Sequence, residues 1–115
     1  MSNIVFVASP LRALTKELFI ENQEFALDFC KNLWNYKKEI GIAPHLYCPQ
    51  FLDDDVEEER IAGMQLGLKL LNLCSKIYVI GDRISEGMKS EVEAAKILGV
   101  KIQRVVNVER FFKDK

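Results

Sequence analysis

Short apolar runs alternate with longer amphipathic stretches along the chain. Residues 4–8 read IVFVA, a β-branched and aromatic run followed by Ser9 and Pro10, which is typical of a buried strand that leads into a turn. We expect this strand to lie in the centre of a sheet. Over residues 15–39 the apolar positions recur at steps of three and four, which predicts a long amphipathic helix. Gly41 is the expected end of that helix.

The rest of the chain continues this alternation. Residues 42–47 predict a weaker strand, and Pro44 favours an edge position because proline cannot donate to a sheet ladder. The acidic residues within 53–59 supply N-cap candidates and first-turn carboxylates for a helix that runs to about Leu73. The last predicted elements are a strand over 77–81, a helix from about Ser85 to Leu98 that ends at Gly99, and a strand over 102–106.

This order of elements predicts an α/β fold. Strands that alternate with helices imply right-handed crossovers and a parallel sheet with helices on both faces. In such sheets ligands bind beyond the carboxyl ends of the strands, which places residues 9–12, 45–47 and 81–87 around one crevice. We therefore expect the functional site there, above all in the segment GDRISEGMKSE, residues 81–91.

Composition and charge argue against several classes of protein. The chain has 115 residues, of which 49% are hydrophobic and 29% charged, so we predict a single globular domain over residues 1–115. Sixteen basic and seventeen acidic residues give a net charge of -1, which argues against nucleic acid or a membrane surface as a partner. The apolar runs are too short to span a bilayer, and the start MSNIVFV lacks the features of a signal peptide. We expect a cytoplasmic protein.

The cysteines do not indicate a metal site. Cys30, Cys48 and Cys74 are odd in number and lack CxxC spacing, so we interpret them as small buried apolar residues. No phosphate loop rich in Ser, Thr and Gly follows the first strand, which argues against a bound flavin. We expect neither a metal nor a cofactor.

Glu91 occupies an unusual position on the third predicted helix. At about 100° per residue it falls near the middle of the apolar arc, whose members are Met88, Val92, Ala94, Ala95, Ile97 and Leu98. An ionised carboxylate is costly to bury unless it is paired, and departures from a helix pattern concentrate at functional sites. One interpretation is a structural carboxylate that pairs with a basic side chain or backbone N–H groups. The other is a functional carboxylate, which Ser85 and Gly87 favour because they form a strand-to-helix turn that a ligand can approach closely.

Other residues near the crevice have two interpretations each. His45, the only histidine, could orient a polar group of a ligand, or could be structural. Tyr47 could stack on a planar ligand or pack at the rim. Arg12 could bind phosphate or form a surface salt bridge. Gly63 and Gly67 lie four apart on the second helix, a spacing that permits a close helix or subunit contact.

Three segments carry a resemblance to a known family. They are the first strand with SPLR, the stretch APHLYCPQFLDDDVEEER, and GDRISEGMKSEVEAAKILGVKI. Together they resemble the nucleoside 2-deoxyribosyltransferase-like family, in particular a branch found in bacteria and their phages, over nearly the whole chain. The resemblance implies a three-layer α/β fold, flavodoxin-like or Rossmann-like, with a parallel sheet of four to five strands and helices on both faces. It also implies a small-molecule nucleoside or nucleotide as partner, and a homodimer or higher homo-oligomer.

The resemblance further implies roles for individual residues. Glu91 matches the nucleophile that attacks the anomeric carbon of a deoxynucleoside, in a retaining displacement through a glycosyl ester. Ser85 and Gly87 match the turn that contacts the sugar or a 5'-phosphate, and Leu11 with Arg12 matches the loop under the substrate. The expected substrate-binding residues are Ser9, Leu11, Arg12, His45, Tyr47, Ser85, Gly87 and Met88.

The chain departs from the family pattern in three places. Residues 65–68 contain no carboxylate where characterised members carry an aspartate that supports the nucleophile, and Asp82 is our candidate replacement. Phe6 stands in a region where a tyrosine is common, and Ala13 stands where a glycine usually follows the arginine. Two functions therefore follow: cleavage or transfer at an N-glycosidic bond with Glu91 and Asp82 as catalytic residues, or a non-catalytic nucleotide-binding module with the same pocket.

Overall fold

Strands and helices alternate along the chain in the computed structural model, which describes residues 3–10, 13–53 and 55–113, without the side chain of Pro49. The strands are β1 (Ile4–Ala8), β2 (Ile40–Ile42), β3 (Lys76–Ile80) and β4 (Lys101–Val105). The helices are α1 (Lys16–Asn32), α2 (Pro44–Tyr47), α3 (Glu57–Asn72), α4 (Glu86–Leu98) and α5 (Val108–Lys113). A π-helical turn (Leu33–Lys37) extends α1, and a 3-10 turn (Cys48–Gln50) follows α2.

The described strands form one parallel sheet in the order β2-β1-β3-β4. Ile4 pairs with Ile40 on one side of β1, and Val7 pairs with Tyr78 on the other. The central position of β1 and the edge position of β2 agree with the sequence predictions. Because all the strands run the same way, their carboxyl ends meet at one edge of the sheet.

Helices cover both faces of this sheet, so the molecule has the predicted three layers. Val5 and Val7 pack on the face covered by α1 and α5, with Phe29, Tyr78 and Phe112. The alternate residues of β1 pack on the opposite face, covered by α3 and α4; the buried set there is Phe6, Ala8, Leu71, Cys74, Ile77, Val79, Met88 and Ala95. This period of two is the pattern that a strand buried on both faces imposes.

The second strand is shorter than predicted, because the segment after Ile42 is helical. Pro44 occupies the first turn of α2, where its missing N–H is not needed and its fixed φ suits a helix. The N–H of Leu46 donates to the carbonyl of Ala43 at 2.9 Å. The prediction of a strand over 42–47 is therefore wrong after Ile42, and His45 and Tyr47 lie on a short helix beyond the end of the strand.

The first helix ends earlier than predicted, and Gly41 has a different role. Lys38, with φ of 55°, ends the π-helical turn in the left-handed region. Gly41 lies in β2, where a Cβ atom would come within 3.0 Å of both Cys30 Sγ and Leu33 Cδ1. Glycine is therefore needed here because the end of the first helix packs directly on the strand.

Two further ends differ from the sequence predictions. The N-cap of α3 is Val56, without a side-chain cap, while the Asp53 carboxylate accepts a hydrogen bond from the N–H of Asp55 in the turn before the helix. The short helix α5 was not predicted; Asn107 Oδ1 accepts from the N–H of Arg110 at its start. None of the helices in the described ranges has the length and apolar character that crossing a bilayer requires.

Candidate functional site

The candidate site lies at the carboxyl edge of β1 and β3, where the sequence predicted it. Residues 9–10 follow β1, and Gly81 follows β3 directly. Gly81 has φ of 97°, and a Cβ atom on it would lie 3.6 Å from the ring of Phe25 and 4.0 Å from Pro10. Its N–H donates to the carbonyl of Val105 at 2.9 Å. The turn after β3 is therefore held to β4 by a hydrogen bond, and the space beside Gly81 is narrow.

Ser85 and Met88 form the start of α4. Ser85 Oγ accepts a hydrogen bond from the N–H of Met88 at 3.2 Å, which is the bond of a helix N-cap. The N–H of Ser85 lies 3.4 Å from Met88 Sδ. Met88 is fully buried in the core that α3 and α4 share, so its side chain supports the turn from beneath.

Gly87 lies in the exposed first turn of α4. The only atom within 4 Å of a Cβ placed on Gly87 is Ser85 Oγ, at 3.9 Å, among the described residues. The fold itself would accept a side chain at this position. The described residues therefore leave the space in front of Gly87 open.

Glu91 follows one turn later and lies on the inner side of α4. It stands between Met88 and Ala95, both of which are buried, and its own side chain is partly buried. Burial raises the pKa of the Glu91 carboxyl to about 8. Within the described ranges no hydrogen bond or ion pair reaches this carboxyl, so the alternative of a carboxylate held by a basic partner is not what the structure shows there.

Ser9 and His45 are brought together from two elements. Ser9 Oγ lies 2.8 Å from His45 Nε2, which joins the end of β1 to α2. Ser9 is buried, and burial lowers the pKa of His45 to about 4, so the imidazole is neutral across the physiological range. Each residue was predicted to belong to the site, but their direct hydrogen bond was not.

Two further predicted site residues, Tyr47 and Asp82, are exposed. Tyr47 is exposed and its ring packs edge-on against Phe51, with ring centroids 4.9 Å apart. Asp82 is exposed in the bend that follows Gly81. Burial is the sole cause of the raised pKa of Glu91, so Asp82 does not contribute to it. Leu11 and Arg12 lie outside the described residues.

The side chains of this site do not form a metal centre. In the part of the chain that the structure describes, no group of three or more His, Cys, Asp and Glu side chains could hold a metal ion. What the arrangement offers is a carboxyl group in an apolar setting, a neutral imidazole paired with a hydroxyl, and the open turn around Gly87. These groups suit a neutral, hydroxyl-bearing ligand with an electrophilic carbon.

A solved structure of a 2-deoxyribosyltransferase from the psychrotolerant bacterium Bacillus psychrosaccharolyticus is similar to this chain. The TM-score is 0.68 and the identity 17%, over 92% of this chain and 78% of the other. The likeness shows a shared fold. No curated protein matches the sequence. A family model described as Domain of unknown function (DUF7768) matches residues 3–105, and the chain belongs to this family.

Proposed function

We propose that the protein cleaves or transfers the N-glycosidic bond of a nucleoside, deoxynucleoside or nucleoside 5'-monophosphate, with Glu91 as nucleophile. The observation that carries the proposal is the state of Glu91, a partly buried carboxyl with a pKa of about 8 that lies one turn after an open glycine turn. The similar fold of a 2-deoxyribosyltransferase supports this reaction class. The branch of bacterial and phage proteins suggested by the sequence stays a prediction, as does a cytoplasmic location.

The proposed chemistry is a retaining displacement. The ionised Glu91 carboxylate attacks the anomeric carbon, the C–N bond breaks, and the base leaves with the bonding electrons. Because the resting carboxyl is largely protonated at neutral pH, one proton leaves Glu91 and one proton is taken up by the departing base, which balances the step. Water then resolves the glycosyl ester in a hydrolase, and a second base does so in a transferase.

Other residues are proposed to bind the substrate around this carboxylate. The neutral imidazole of His45, fixed by Ser9, can exchange hydrogen bonds with a base or a sugar hydroxyl. The open face of Gly87 lets the sugar approach the backbone of α4, and the Ser85 hydroxyl retains its proton as a donor. The sequence resemblance alone supports two further roles. Leu11 and Arg12 would lie beneath a 5'-phosphate, and Asp82 would support the nucleophile.

A turnover assay with a matched pair of variants tests the reaction. The protein is incubated with a panel of deoxynucleosides, nucleosides and their 5'-monophosphates, with and without an acceptor base, and the free and exchanged bases are separated by chromatography. We expect base release or exchange, and its loss in Glu91→Gln. The control is Glu93→Gln, which removes an exposed carboxylate of the same helix that pairs with Lys96 at 3.4 Å. No turnover across the panel, or equal turnover by both variants, would contradict the proposal.

A second candidate is a nucleotide-binding module without catalysis. It is favoured by the stretch of α3 over 65–68, which offers no carboxylate to support a nucleophile. Calorimetry separates it from an enzyme: saturable binding without product, retained in Glu91→Gln, would establish the module.

We also propose that the protein forms a homodimer or higher homo-oligomer through α3. The helix exposes three apolar residues at steps of three and four, Ile61, Met64 and Leu68. Gly67 has no described neighbour within 4 Å of a Cβ position, which leaves room for a second chain, whereas Gly63 faces Leu52 of the same chain. Burial of this apolar stripe of side chains against a second chain would favour association, because it removes apolar surface from water.

A further inference from the structure

A basic cleft lies at the carboxyl end of β4, beside α5. It is lined by Lys37, Arg104, Asn107, Arg110 and Phe111, together with the last residues of β4, and has a volume of about 350 Å³. Glu91 belongs to α4, which packs on the opposite face of the sheet. The basic cleft adjoins the turn of the candidate site at Val105, whose carbonyl accepts from the N–H of Gly81, but Glu91 is not among its lining residues.

The lining of the basic cleft is positively charged. Lys37 and Arg104 contribute two cationic groups, Arg110, which has an interaction of its own, contributes a third, and none of the described residues that line the cleft is acidic. The acidic residues nearest along the chain are engaged elsewhere: Glu39 pairs with Lys76 at 3.0 Å, and Glu109 pairs with Lys113 at 2.8 Å. The local potential thus favours an anion, although the chain as a whole has a net charge of -1.

Several of these groups are already held in position. Arg104 Nη1 donates to the carbonyl of Val79 at 2.8 Å, which ties the guanidinium to the neighbouring strand and leaves its other N–H groups as donors. Lys37 Nζ lies 4.6 Å from the ring centroid of Phe111. That ring in turn packs against Phe29 and Tyr78 of the core. Because the side chains of Arg104 and Lys37 are already held in place, less conformational entropy would be lost when a ligand binds.

We propose that the basic cleft is a second ligand site, which binds the phosphate group of a small phosphorylated molecule. The planar guanidinium of arginine matches phosphate oxygens with two parallel hydrogen bonds, and lysine adds a point charge. The volume is at the lower end of ordinary ligand pockets, about 300–1,000 Å³, which suits a molecule no larger than a mononucleotide. Phe111 offers an apolar wall beside the charged groups.

An amide NMR titration of the full-length protein with inorganic pyrophosphate at low ionic strength tests this proposal. We expect saturable shifts of the amides of residues 104–111, with a dissociation constant of their own, distinct from that of any shifts over residues 85–91. Arg104→Ala should weaken binding about tenfold, the effect of removing one hydrogen bond to a charged group. Lys37→Ala should weaken it in the same direction. The matched control is Lys101→Ala, an exposed cation of the same strand outside the cleft, which should change affinity less than twofold.

Further arms separate the outcomes. Glu91→Gln should leave pyrophosphate binding unchanged, so that failure of the proposed reaction and failure of this site are distinguishable. Adenosine monophosphate binding with the same dependence on Arg104 would identify a nucleotide as the source of the phosphate. The proposal is overturned if pyrophosphate causes no shifts, if Lys101→Ala weakens binding as much as Arg104→Ala, or if only a single-stranded RNA oligomer binds.

Discussion

At the scale of single residues, Glu91 makes the stability of the protein depend on pH. Its pKa rises from an ordinary 4.5 to about 8 in the folded chain, so the native state binds this proton more tightly than the unfolded state between those values. The group therefore favours folding below about pH 4.5 and loses that advantage as the pH rises to about 8. At alkaline pH the ionised Glu91 carboxylate therefore lowers the free energy of unfolding.

Glu91→Gln should remove this dependence, because the neutral amide has similar size and no proton to lose. We expect the free energy of unfolding of the variant to exceed that of the wild type by on the order of 4 kcal/mol at about pH 8.5, and to match it near pH 4. Urea unfolding at several pH values measures the difference. An equal effect at both pH values, or the same effect in Glu93→Gln, would show that burial of the Glu91 carboxyl is not the cause.

His45 has the opposite dependence. Because burial lowers its pKa from 6.5 to about 4, the folded state resists protonation, and the stability contributed by the neutral imidazole is lost as the pH falls through this range. His45 is the only histidine, so its ring signals can be titrated by NMR without assignment. We expect a midpoint near pH 4 in the wild type and a higher one in Ser9→Ala, whose cavity admits water. A midpoint near the ordinary 6.5 in the wild type would contradict the buried pair.

At the scale of elements, a substitution in the first turn of α4 should change the stability of the protein and its affinity for a ligand in opposite directions. Gly87→Ala should stabilise the helix by about 0.5–1 kcal/mol, because alanine has the higher helix propensity and the fold has space for its Cβ. The same methyl group should obstruct the proposed sugar site and raise KM or weaken nucleotide binding. Ser90→Ala, an exposed position of the same helix, is the control for propensity alone. An unchanged KM in Gly87→Ala would argue against a ligand at this turn.

At the scale of the whole molecule, the apolar stripe of α3 predicts self-association. Met64 is 51% exposed and Leu68 46% exposed in the isolated chain. Met64→Lys should shift the protein toward monomer in sedimentation or light-scattering measurements at micromolar concentration. The control is Ile97→Lys on α4, which replaces an apolar residue that is 85% exposed and lies outside the stripe. A monomeric wild type, or dissociation by both variants alike, would contradict the α3 interface.

Features that depend on the local pattern of apolar and polar residues could be predicted from the sequence alone. The run over residues 4–8 indicated a central strand because both of its faces are apolar, and Ser85 with Gly99 marked the limits of α4. Helical periodicity placed Glu91 on the inner side of that helix, because the angular position of a residue on a helix depends only on its spacing along the chain. The parallel sheet followed from the alternation of elements, and the carboxyl edge as the site followed from the sheet.

Contacts between distant parts of the chain required the tertiary structure. Ser9 and His45 are 36 residues apart, and their hydrogen bond exists only because α2 folds over the end of β1. The sequence predicts Gly41 as a helix end, but its role comes from the packing of Cys30 and Leu33 on β2. The basic cleft is lined by Lys37, at the end of the π-helical turn after α1, and by Arg104 of β4. The spacing of these residues along the chain gives no sign that they lie close together. Periodicity reports the face that a residue occupies, whereas the partner on that face depends on how the elements assemble.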